Sequence, residues 1–120
     1  MISLDLLGEV APVRGDTYVH VFKFQDETEV GIDMWGNGQT YACEFRNRNN
    51  SLSIVGTCVQ GATAYEIQLE ASIPASLASS EIGAKLWSWD IERDEGGIIT
   101  TIIGGDVEIK RDATNSPGPV

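Results

Sequence analysis

Residues 85–111 (KLWSWDIERDEGGIITTIIGGDVEIKR) hold two of the three tryptophans and restrict the chain to a β fold. Trp87, Trp89 and Ile91 fall on one face of an extended chain, with Ser88, Asp90 and Glu92 on the other. That is the period-2 pattern of a strand with one face buried. Residues 94–97 (DEGG) form a polar, glycine-ended break suited to reversing a strand. The β-branched run at 98–103 suits a strand covered on both faces. Gly104-Gly105 reads as a second break, after which Val107 and Ile109 resume the alternation. The expectation is a three-stranded antiparallel meander at the centre of the core. It names no chemistry.

The chain's 120 residues fit one domain and bury enough surface for a core without staples. An apolar share of 42% is ordinary for a globular protein. Charge is more selective: 18 acids against 8 bases leave a net −10. Phosphate backbones are bound by clustered Lys and Arg, whereas these bases are scattered from Arg14 to Arg111. Nucleic acid and anionic membranes are therefore not expected as partners. No apolar run approaches the roughly 20 residues that span a bilayer. The start, MISLDLLGEV, has no basic region and places Asp5 and Glu9 in its apolar run, so no signal peptide is expected.

Cys43 and Cys58 are the only cysteines. A hairpin turning at residues 47–50 sets Cys43 opposite about Ile54, so the pair is expected to be two buried free thiols.

Alternation elsewhere supplies further strands. Ile2, Leu4 and Leu6 alternate in residues 1–12, an N-terminal arm or edge strand. Residues 17–24 (TYVHVFKF) put Tyr18, His20, Phe22 and Phe24 on one face. Val30, Ile32 and Met34 give a short strand or extended edge before a turn at 35–38. Residues 39–46 bury Tyr41, Cys43 and Phe45, and residues 51–58 follow. In 63–70, Tyr65, Ile67 and Leu69 alternate with Glu66, Gln68 and Glu70. Residues 72–80 (SIPASLASS) are the one helical candidate, a short crossover with Ser72 as N-cap. Residues 112–120 have the composition of an unstructured tail. About seven short strands with one short crossover helix predict an antiparallel, immunoglobulin-like β-sandwich over residues 13–111.

Motifs that carry chemistry are weak. His20 is the only histidine, and no second ligand stands at metal spacing. Asp90 with Glu92, Glu66 with Glu70, and Asp26 with Glu27 and Glu29 fall on solvent faces or in turns, where acids are ordinarily just solvated. A glycosidase-like pair is not expected. No G-x-S-x-G occurs, and the two Gly-Gly pairs lack the Lys-Ser/Thr of a phosphate loop. Arg14-Gly15-Asp16 is read as a turn into a strand, with Gly15 shaping it, rather than as an adhesion motif. No enzyme activity, metal or cofactor is expected. Trp35, beside glycines on a loop tip, either anchors a partner or plugs the end of the sandwich.

The order of these pieces resembles a group of small tailed-bacteriophage virion domains. The matching segments are VRGDTYVHVFKFQDETEVGIDMWG, the crossover Ile73-Pro74-Ala75-Ser76, and the tryptophan strand with its acidic, glycine-ended turn. The isoleucine-rich strand ending in Gly105-Asp106-Val107-Glu108-Ile109 completes them. The likeness spans most of residues 13–111 and is nearest to the N-terminal domain of baseplate upper proteins. Those proteins continue into helical and distal regions, whereas a single domain is expected here, so receptor binding is not implied. What the resemblance implies is a docking module of the tail, baseplate or fibre attachment, in symmetric copies among other virion proteins. Assembly would take place in the host cytoplasm. Trp35, Ile2, Leu4 and Leu6 are the candidate contacts, the arm ordering on assembly. A capsid cement protein is the nearest alternative and a carbohydrate-binding sandwich a more distant one.

Overall fold

A computed structural model describes residues 1–111, the side chains of Ala84 and Lys85 apart. The tail expectation at 112–120 lies outside the described residues. Seven strands form: β1 (Ile2–Ser3), β2 (Thr17–Lys23), β3 (Thr40–Asn47), β4 (Ser53–Gln60), β5 (Glu66–Ser72), β6 (Gly83–Glu95) and β7 (Ile98–Ile109). The all-β expectation is met. These strands make one mixed, curled sheet in the order β1-β7-β6-β3-β4-β5-β2. Neighbours pair antiparallel except β1, which runs parallel to β7. Alternation records that one face is buried but carries neither strand direction nor the number of layers.

The curl brings the two ends of the sheet over a common core. Phe22 of β2 stacks on Trp89 of β6 at 5.2 Å, although three strands lie between them in the sheet order. Tyr18 meets Phe45 of β3 edge-on at 6.2 Å. Inward positions on every long strand join this core, from Ile67 and Leu69 to Trp87, Ile91, Val107 and Ile109. The expected inward faces of β2 and β3 are therefore the observed ones. Val19 and Val21 point outward.

The 85–111 stretch is two long strands rather than three short ones. Asp94 and Glu95 still pair, with Ile99 and Ile98, so Gly96-Gly97 alone make the turn, at φ 61° and 88°. Gly104-Gly105 break nothing: β7 runs straight through them. They are needed for room, because a Cβ at Gly104 would lie 2.6 Å from the Trp89 carbonyl oxygen. One at Gly105 would run into the Leu4 carbonyl. Nor is the isoleucine run covered on both faces, since Ile98 is 72% and Ile99 56% exposed at the end of the hairpin.

Other boundaries also move. No α-helix crosses at 72–80: Ser72 ends β5, and Ser79–Glu81 is a single 3-10 turn. Residues 30–34 contribute one bridge, Gln25 with Gly31, and the Ile32 N–H to Phe24 carbonyl bond of 2.9 Å. Cys43 pairs with Gly56, because β3 and β4 meet two residues out of the expected register. The cause is a longer loop in which the Asn47 side chain accepts from Leu52 N–H and Asn50 takes φ 58°. Both thiols are free, Cys43 buried and Cys58 half-buried. Burial pushes the Cys58 thiol up to about 11, and Cys43 is raised as well.

Candidate functional site

Residues 1–12 are stitched along the second half of β7, from Ile103 onward. Leu4 N–H donates to Gly104 carbonyl, Leu6 N–H to Asp106 carbonyl, and Glu108 N–H to Leu6 carbonyl. The Trp89 indole N–H donates to the Leu4 carbonyl at 2.9 Å, and Asp106 N–H to Asp5 Oδ1 at 2.9 Å. Leu6 is fully buried, a core residue rather than a surface contact. This segment is an edge of the sheet, and removing residues 1–10 would open the core over Val107 and Trp89. An arm that detaches without harm to the fold does not fit that arrangement.

Where β1 and β2 approach across the curl, a groove of about 370 Å³ remains. Ile2, Leu4 and Ile103 line one wall. Residues 20–24 of the β2 segment line the other, with Gln25 and Ile32 beyond. β1 and β2 end the sheet order, so each has one side without a strand neighbour among the described residues. Ile2, Leu4, Val21 and Ile32 are 39–52% exposed here. In a chain with 18 acids, none among the described residues lines this groove, and His20 and Lys23 are its ionisable side chains there. It is an apolar, weakly basic seam on an acidic protein.

Of the four contacts expected from the sequence, Ile2 and Leu4 lie together on this seam. Trp35 does not. Its indole N–H donates to the Glu66 carbonyl at 2.8 Å and its ring meets Tyr41 edge-on at 4.8 Å, so it plugs one end of the core. Val21, Lys23 and Ile32 were not foreseen. An outward valine or a loop isoleucine has no local signature of a groove made by two distant edges.

The acids have structural work. Glu66, expected on a solvent face, is buried, its carboxylate accepting from Ala62 N–H at 2.6 Å and Thr63 N–H at 3.2 Å. Asp26 accepts from Thr28 N–H, Thr28 Oγ1 and Val30 N–H, which holds its carboxyl below the usual range. Burial raises Asp90, opposed by Arg46, which bridges Asp90 at 3.2 Å and Glu44 at 3.0 Å. Arg14 donates to the Leu77 carbonyl at 2.9 Å, and Gly15 has φ 86°, as a turn requires.

His20 sits between Tyr18 at 6.0 Å and Phe22 at 4.5 Å, and burial lowers its pKa below 6.5. The unfolded chain therefore takes up the proton first on acidification, and folding stability falls as pH drops from 6.5 through the folded value. Denaturant titrations on either side of 6.5 should show this slope, flattened in His20→Asn. An equal slope in the variant would remove His20 as its source.

The fold and groove define a class: a small all-β domain built on one mixed, curled sheet with an apolar seam between its edges. Compared with known proteins, the chain matches no family model and no curated sequence. No helix among the described residues is long and apolar enough to cross a membrane.

Proposed function

We propose that the chain is a non-enzymatic docking module of a tailed-bacteriophage virion, placed in the tail, baseplate or fibre attachment and bound to neighbouring virion proteins. The observation that carries the docking role is the seam, where exposed apolar side chains stand beside strand edges with unused backbone hydrogen-bonding groups. Proteins recognise such edges by adding a strand or hairpin. The virion setting rests on the resemblance of residues 13–111 to baseplate upper domains. On this reading β1-β7-β6-β3 and β4-β5-β2 face each other across the Trp89–Phe22 stack as the layers of an immunoglobulin-like sandwich do. Engagement of Trp35 with Glu66 and Tyr41 deprives a sugar-binding reading of its one aromatic platform.

Mass spectrometry of purified virions, with heads and tails separated, tests the assignment. Enrichment with tails is expected. Enrichment with heads would move the protein to the capsid surface as a cement protein. Absence from both would overturn the virion assignment.

A further inference from the structure

The β6–β7 hairpin ends in a feature opposite in shape to the seam. β1 pairs with β7 only from Ile103 onward, so the outer edge of residues 98–102 has no strand beside it among the described residues. Ile98 and Ile99 stand exposed on that edge, next to Asp94 and Glu95. The tip is thus apolar and narrow with an open backbone edge; Arg93 pairs with Glu95 at 3.8 Å, which leaves Asp94, capping Gly97 N–H, as its uncompensated acid. The seam is apolar, free of acids and flanked by Lys23, and it too has an open backbone edge, along β2. Polarity and charge are complementary: apolar side chains stand on both surfaces, with Asp94 at the tip and Lys23 at the seam. The tip stands away from its own seam: Ile98 lies five residues along β7 from Ile103, a contour of about 16 Å.

We propose that the β6–β7 hairpin tip of one copy docks in the β1–β2 seam of a second copy, giving a head-to-tail self-assembly. Ile98 and Ile99 fill the space beside Ile2, Val21 and Ile32, and Asp94 of the tip faces Lys23. Such a contact joins different surfaces of the two copies, so it propagates into a ring or a filament. A single contact of this size is weak, and it strengthens when copies are held together on a scaffold. The inference deepens the docking role by naming one partner, a second copy. Its test uses the isolated chain, so it fails or stands apart from the virion assignment.

Sedimentation equilibrium or light scattering up to about 1 mM chain reads the assembly. The wild type is expected to exceed the 13.0 kDa monomer in a concentration-dependent way. A tip variant (Ile98→Asp with Ile99→Asp) and a seam variant (Val21→Asp with Ile32→Asp) alter exposed positions, and each should stay folded and monomeric. Mixed, they retain one intact tip and one intact seam, and should form a species of twice the 13.0 kDa mass and nothing larger. A monomeric wild type would overturn the proposal. So would variants that assemble like the wild type, or a mixture of folded variants that stays monomeric.

Discussion

Trp89→Ala is expected to destabilise the domain by about 4 kcal/mol, the range for emptying a buried aromatic site. Trp89 is 3% exposed, stacks on Phe22 at 5.2 Å, and donates its indole N–H to the Leu4 carbonyl at 2.9 Å. One side chain thus ties the middle of the sheet to β2 and to the N-terminal segment. Domains of this size are stable by only about 5–15 kcal/mol, so much of the margin goes with it. Trp89→Phe keeps a ring against Phe22 and loses the bond to Leu4, and should cost about 1–2 kcal/mol. Equilibrium denaturation of the two variants separates closure of the curl from anchoring of residues 1–12. A loss under about 1 kcal/mol for the alanine variant would mean that the Phe22 stack does not hold the curl closed.

Gly105→Ala should destabilise by about 3 kcal/mol through overpacking, an unusual outcome for so small an addition. The added methyl would meet the Leu4 carbonyl and Asp5 Oδ1, both backed by hydrogen bonds to β6 and β7. Residues 1–12 must shift, which exposes Leu6 and the wall of the seam. Amide exchange at Leu4 and Leu6 is the specific readout, since their N–H groups bond Gly104 and Asp106. Gly97→Ala is the contrast. No atom lies within 4 Å of a Cβ there, and the φ of 88° leaves only backbone strain, about 1–2 kcal/mol. If the two variants lost equal stability with equal exchange at Leu4, crowding would not be the role of Gly105.

Those two Gly-Gly pairs show how far the sequence can be read. As letters they are equivalent, and both look like strand breaks. One is a turn because the chain reverses through positive φ at 96 and 97. The other lies within a continuous strand because a distant segment passes over it, and no local pattern carries that segment's path. Cys43 is a second example. Its inward face follows from alternation with Tyr41 and Phe45, whereas its partner across the ladder depended on a loop held by Asn47 and Asn50. Glu66 is a third, alternating with Ile67 as a surface acid would, yet buried beneath the loop it caps.

Of the candidate site, Ile2 and Leu4 were legible as exposed-edge residues of an alternating segment. Leu6 shares that alternation but falls where the segment meets Val107 in the core. Trp35 was legible only as an open choice between anchor and plug, and the structure packs it half-buried against the core through Glu66 and Tyr41. The seam itself was not legible at all. Residues 2–4 and 20–24 are neighbours only because the sheet curls.

The sequence by itself determined the class of the fold and the inward faces of β2, β3 and the Trp87–Ile91 stretch of β6. Period-2 burial is local, a direct consequence of backbone geometry. It also set the acidity of the surface, since composition needs no structure. The tertiary structure alone decided that the sheet is single and mixed, that β1 runs parallel to β7, and that an acid-free groove opens between the edges. Those are contacts between segments distant along the chain. Their pairing depends on which packed arrangement buries Trp89, Phe22 and Leu6 together, a choice made by the whole core at once.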